Sequence, residues 1–320
     1  MRRKGDDPPN HESSSLSSAS AASKPAPRDR VWADISLFGV AAIWGINIPV
    51  MKSALTGVDV FVFNAIRLTV SSIVLAACCG LERPKVPMRK WPWERLIIYS
   101  ILAGAAYQVM FLLGIAQTTS GNTALIIATV PMWTALMAYV FLGEQLRRIA
   151  WVGLSIALIG TIIVALQKDD VSSGYFLGNL IVVAAALLWS AGTVFSRPLL
   201  KSQVVSPMQL AAVGAVLALP IHLAFGAWNL PTMPNSKLSD WWFWVVVAYS
   251  GILSSGLAQP MWNFGVRIAG SAHAAVIQNL IPVVAIIVGW AMGGEIPTSA
   301  QFQGGFLILS GLFLMRSGRN

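Results

Sequence analysis

Ten apolar runs of about 20 residues follow one another from Val31 to Arg316 with little between them, and no other feature of the chain constrains its fold as much. A helix of about 20 residues crosses a hydrocarbon core of roughly 30 Å, and only a structure that pairs its own backbone polar groups can do so. The runs cover about residues 31–53, 60–80, 96–116, 122–142, 149–167, 177–197, 208–228, 242–266, 272–292 and 300–316. With 56% apolar and 11% charged residues among 320, there are too few polar side chains to cover a water-soluble surface. The expected fold is an all-α integral membrane protein with ten transmembrane helices. Residues 1–30, rich in Ser, Pro and Ala, read as a disordered cytoplasmic tail. Asp6, Asp7 and Glu12 argue against a transit peptide there.

The formal net charge of +9 comes from tails and short loops, not from one basic face, so nucleic acid is excluded as a partner and the bilayer is the expected one. Sorting Lys and Arg by loop places 18 on one side, in the tail, the connections 2-3, 4-5, 6-7 and 8-9, and the C-terminus. Only Lys52, Lys168 and Lys237 fall on the other side, and Arg67 stays inside a span. Basic loops stay in the cytoplasm, so both termini are expected there, in a plasma membrane of the bacterial inner-membrane kind. Cys78 and Cys79 are the only cysteines and are adjacent, which excludes a disulfide framework and a cysteine-based zinc site.

Shifting the chain against itself by 151 positions superposes residues 108–160 on 259–311, with identities at sparse residue types: Gln108/Gln259, Gly114/Gly265, Ser120/Ser271, Pro131/Pro282, Gly143/Gly294, Glu144/Glu295, Gly153/Gly304 and Gly160/Gly311. A slightly different offset brings Trp44 onto Trp189. A repeat of five spans crosses the membrane an odd number of times, so the second copy enters from the opposite face. The expected domains are therefore two inverted five-helix repeats, residues 31–167 and 177–317. Two such halves can expose one central site to either face in turn.

These duplicated Pro, Gly-Glu and Gly elements, with Arg67 and Trp44, resemble the EamA family of the drug/metabolite transporter superfamily over about residues 31–317. The resemblance implies a ten-helix exporter or exchanger of metabolites, often amino acids or related compounds, with a central cavity. Span 7 departs from the symmetry, since Gly214 lies near the place equivalent to Arg67.

Polar side chains at bilayer depth are costly unless they line a cavity or pair, so they mark the expected pathway. They are Trp44 and Asn47 in span 1, Arg67 in span 2, Tyr107 and Gln108 in span 3, Trp189 and Thr193 in span 6, Gln259, Trp262 and Asn263 in span 8, and Gln278 and Asn279 in span 9. Arg67 has no Asp or Glu at similar depth; it either awaits a carboxylate or phosphate, or binds helix-end carbonyls or snorkels to the surface. The tryptophans either stack on a planar or cationic solute or pack. The amides suit a zwitterion or polyol, or serve as bonds between helices.

Pro131 and Pro282 are expected to kink their spans mid-helix, with gating as the functional extension. Gly153 and Gly160, on one helix face, would let another helix approach closely. Glu144 and Glu295 are expected at opposite membrane faces, capping the following helix or pairing with Arg147 or another loop cation. His222 and His273 read as packing or hydrogen-bonding residues.

No Ser/His pair, paired Asp residues or His with acid converge by spacing, so catalysis, metal and cofactors are not expected. No carboxylate lies near the centre of a span, which points to a facilitator or exchanger in place of a proton antiporter. A receptor or scaffold binding a small ligand without flux is the alternative, and a homodimer is left open.

Overall fold

The computed structural model describes residues 27–84, 86–166 and 175–317, and every regular element among them is helical. Nine stretches of these residues are long and apolar enough to cross a membrane. In chain order the long helices are α1 (Pro27–Ala54), α2 (Val60–Gly80), α3 (Trp93–Gln117), α4 (Ser120–Leu142), α5 (Arg148–Ala165), α6 (Tyr175–Lys201), α7 (Pro207–Asn229) and α8 (Trp241–Ala269). They are followed by α9, built from Ser271–Gln278 and Leu280–Gly293, and α10 (Ser299–Ser317). α10 is a 19-residue helix that falls outside the nine; Gln301, Gln303 and Arg316 interrupt its apolar character. The expected tail lies outside the described residues except for its last few, which open α1 at Pro27.

Local chemistry explains the ends. Asp59 accepts from the backbone N–H groups of Phe61 and Val62, and Asp240 from that of Trp242, filling donors that have no partner in a helix's first turn. Ser206 and Gln209 form a reciprocal capping box at the start of α7. Gly143 and Gly294 close α4 and α9 with φ of 67° and 64°, a left-handed conformation that favours glycine.

Two kinds of irregularity occur in matching places. α3 widens into a π-helical segment at Ser100–Ala106, and α8 does so at Tyr249–Leu257. α4 is interrupted at Ala128 and Thr129, and α9 at Asn279. This corrects the expectation of mid-helix prolines: Pro131 lies at the start of the second segment of α4, and Pro282 is the third residue of the second segment of α9. A proline lacks the N–H that a continuous helix would need, whereas the first turn needs none. The carbonyl of Val130 accepts from Ser190 of α6 at 3.1 Å. That of Ile281, 151 positions on, faces Gly45 of α1, where a Cβ would lie 2.9 Å away.

α5 and α10 meet backbone to backbone. A Cβ on Gly153 would lie 2.5 Å from the carbonyl oxygen of Gly311, and one on Gly160 2.6 Å from that of Gly304. The reverse distances, from Gly304 to Gly160 and from Gly311 to Gly153, are 2.7 and 2.5 Å. Since Gly153 repeats as Gly304 and Gly160 as Gly311, the contact maps onto itself when the halves are exchanged.

Candidate functional site

Arg67 is the organising residue. Its side chain is buried in the bundle at 2% exposure, so the snorkelling alternative is overturned. Its partners are side-chain oxygens: Nη2 donates to Asn64 Oδ1 at 2.7 Å and to Gln108 Oε1 at 2.8 Å, and Nη1 donates to Ser255 Oγ at 3.1 Å. Nε has no partner among the described residues. A buried cation held by neutral acceptors, with one donor unused, keeps its positive charge available. Leaving such a donor unpaired costs about 1–3 kcal/mol, which an anionic oxygen would recover.

Asn64 lies three residues before Arg67 and so shares its helix face. Its Nδ2 lies 3.4 Å from His222 Nδ1, and His222 Nε2 lies 3.1 Å from the carbonyl oxygen of Gly104 in the π segment of α3. His222 was expected to pack or hydrogen-bond and does bond, but its place beside Arg67, and Asn64 and Ser255 altogether, were not anticipated from the sequence. Helical spacing could have singled out Asn64; nothing local pairs Arg67 with a serine 188 positions away.

Two aromatic pairs join the halves. Tyr107 packs on Trp189 with ring centroids 4.7 Å apart, and Trp44 on Trp262 at 5.6 Å. Trp44 Nε1 donates to the Ser254 carbonyl in the π segment of α8 at 3.0 Å, so α1 and the Arg67 contact Ser255 meet at adjacent residues. Asn47 is buried, with Nδ2 on Met51 Sδ at 3.5 Å and Oδ1 unpartnered among the described residues. Gln259 donates to Asn263 Oδ1 at 3.5 Å, leaving Asn263 Nδ2 unpartnered there. Thr193 is taken up by its own helix, donating to the Trp189 carbonyl at 2.8 Å. Gln278 and Asn279 are half-buried at the break in α9, apart from the Arg67 cluster by bonding.

The two rims of the bundle are closed by bonds between the halves. At one, Lys52 meets Glu295 at 2.5 Å, and Glu295 accepts from the Ser120 backbone N–H at 2.8 Å. The expected pairing with a loop cation is thus met by Lys52, while the capping alternative is corrected: Glu295 accepts from the first turn of α4 in the other half, not from the helix that follows it. Beside it, Thr118 donates to Asn179 Oδ1 at 2.5 Å, Asn122 to the same oxygen at 3.2 Å, and Gln301 to Asn122 Oδ1 at 2.7 Å. At the other rim, Glu144 pairs with Arg197 of α6, and His273 lies 2.8 Å from Asp34. The positions correspond: Glu144 and Glu295, and Asn122 and His273, are 151 apart, while Lys52 and Arg197, and Asp34 and Asn179, are 145 apart. These contacts also fix directions, since α1 and α9 end at the Lys52 rim where α4 and α6 begin.

The model of the EamA-like transporter family matches this chain twice, over residues 31–166 and 176–317. The chain is 24% identical to the uncharacterized transporter YoaV of Bacillus subtilis (strain 168), covering 88% of this chain and 95% of that protein. It is 27% identical to the "Probable terminal-alkyne amino-acid exporter" of Streptantibioticus cattleyicolor, over 89% of this chain and 92% of the other. The inner membrane transporter YedA of Escherichia coli (strain K12) is 24% identical, over 89% and 90%. A solved structure, described as "Crystal structure of protein", shares the fold with a TM-score of 0.61 at 21% identity, covering 89% of this chain and 97% of that one.

Proposed function

The chain belongs to the EamA-like transporter family, and on that premise we propose that it carries a small metabolite bearing a carboxylate, an amino acid foremost, out of the cell by alternating access. One relative is named as an amino-acid exporter, and another as an inner membrane transporter. In this reading the chain crosses a bacterial inner membrane ten times, α10 included, as two inverted repeats, residues 31–167 and 177–317. Both termini are cytoplasmic, which makes the Arg197 rim cytoplasmic and the Lys52 rim external. The opposite directions of α1 and α6, and of α4 and α9, support the inversion, as does the self-matching contact of α5 with α10.

The observation that carries the proposal is Arg67, buried, held by neutral oxygens, with Nε unused. A carboxylate would dock there, while Asn47 Oδ1 offers an acceptor to an ammonium group and the Trp44/Trp262 and Tyr107/Trp189 pairs wall the remainder. Gln108, Gln259, Asn263, Gln278 and Asn279 supply further polar surface, with Pro131 and Pro282 at the interrupted helices that flex. No carboxylate is bonded to the Arg67 cluster among the described residues, so movement follows the solute gradient. The test is efflux of an amino-acid and metabolite panel from proteoliposomes, with Arg67→Gln beside the native chain. Loss of at least about tenfold in kcat/KM for carboxylate-bearing solutes is expected, the worth of one charge-assisted hydrogen bond. Equal transport by Arg67→Gln overturns the site, and binding without flux overturns the carrier.

A further inference from the structure

The hydrogen-bond chain that ends on Arg67 has both ends fixed in sense. A guanidinium only donates and a backbone carbonyl only accepts, so Asn64 must turn Oδ1 to Arg67 and His222 must point a protonated Nε2 at the Gly104 oxygen. What remains between them is Asn64 Nδ2, a donor, facing His222 Nδ1 at 3.4 Å, and that nitrogen must therefore be the bare acceptor of a neutral ring. His222 is 2% exposed, so water cannot repair a mismatch.

A second proton on the ring would sit on Nδ1, donor against donor. Turning the Asn64 amide to satisfy it would aim Nδ2 at Arg67 and remove one of the oxygens that hold the guanidinium. In the matching π segment of the other half, the Ser254 carbonyl accepts from the Trp44 indole, which does not titrate in this range. The charged group that acts on His222 is Arg67. The other titratable groups packed against α7 lie nearer its start, with Glu82 accepting from Ser206 at its head, Tyr99 meeting Gly214, and Cys78 and Cys79 beside Met208 and Ala212.

We infer that His222 is a positioning residue, held as the Nε2–H tautomer, which orients Asn64 and through it Arg67, so that anion binding at Arg67 weakens when His222 takes up a proton. This rests on the transporter reading for its consequence, but not for its geometry. The effect is on affinity with equal pH on both sides, which separates it from proton-driven transport.

Two arms test it. Nitrogen NMR of ring-labelled histidine in nanodiscs reads the tautomer directly; with three histidines in the chain, loss of one signal in His222→Gln assigns it. A bare Nδ1 and protonated Nε2 at about pH 8 are expected, and a bare Nε2 or a doubly protonated ring overturns the inference whether or not the chain transports anything. The second arm uses propargylglycine, an α-amino acid with a terminal alkyne, in proteoliposomes at about pH 8 and about pH 5.5. KM is expected to rise at the lower pH in the native chain. His222→Phe should raise KM roughly tenfold at the higher pH with kcat little changed, since one hydrogen bond to a charged group loses its support. His222→Gln, which keeps a donor and an acceptor, should recover most of that loss with a flat pH profile. A KM that stays pH-dependent in His222→Gln, or is native in His222→Phe, overturns the positioning role. No flux of the probe by the native chain counts against the substrate class alone, and the NMR arm then decides.

Discussion

The Lys52 rim and the Arg197 rim are built from corresponding positions, yet they are closed in different ways. At the first, Thr118, Ser120, Asn122, Asn179 and Gln301 form a dry polar seam, and Lys52 and Glu295 are the outermost members. At the second, the place of the buried Asn122–Asn179 bond is taken by His273 and Asp34, with side chains 51% and 44% exposed. Buried hydrogen bonds must break together and leave unsatisfied groups, whereas an exposed pair exchanges its partner for water at little cost. Two copies of one plan thus differ in how easily each rim parts. Both rims are bonded in this structure, and the Lys52 rim is the more firmly held.

The strongest attempt to break that comparison is to tie each rim shut. A short bis-maleimide joining Lys52→Cys and Glu295→Cys, in a chain with Cys78→Ser and Cys79→Ser, should reduce flux to background, and so should one joining Glu144→Cys and Arg197→Cys. Flux persisting through either tether would mean that rim does not gate. Next in size, Glu295→Gln removes an ion pair and the charge on the acceptor of the Ser120 N–H, about 2 kcal/mol together, so amide exchange across residues 118–123 should speed up roughly 30-fold. Glu144→Gln loosens a more exposed pair by about 0.5–1 kcal/mol, and exchange around Arg197 at the end of α6 should rise no more than about fivefold. Asp34→Asn, at the most exposed pair, should change exchange around His273 by less than about twofold. If Asp34→Asn exceeds Glu295→Gln, the ranking of the two rims is inverted.

Much of this architecture could be read before any coordinates. Apolar length located the helices to within a few residues because lipid leaves the backbone no alternative to pairing with itself. Arg67 was conspicuous for the same reason, and Gln108 beside it proved to be a partner. What could not be read was pairing across the fold. Glu144 was expected to pair with Arg147 or another loop cation, and it meets Arg197 of α6, but which cation it meets could not be read because no periodicity links residues on separate helices. The π segments at Ser100–Ala106 and Tyr249–Leu257 were also hidden, since nothing in their own residues marks a wider turn, and the side chains that meet their carbonyls, His222 and Trp44, come from other helices. Pro131 and Pro282 marked the right places with the wrong geometry, opening second segments where kinks within one helix were expected.

The glycine crossing of α5 and α10 has a bearing on both rims. A single methyl group at Gly153, Gly160, Gly304 or Gly311 would meet backbone oxygen at 2.5–2.7 Å, and the two helices would have to separate to admit it. Hydrogen bonds tolerate stretching of only about half an ångström. A spacer introduced at this crossing would therefore be felt as slack at Gln301, which α10 carries into the Lys52 rim, so that four side-chain-free positions set the tension of a distant seal.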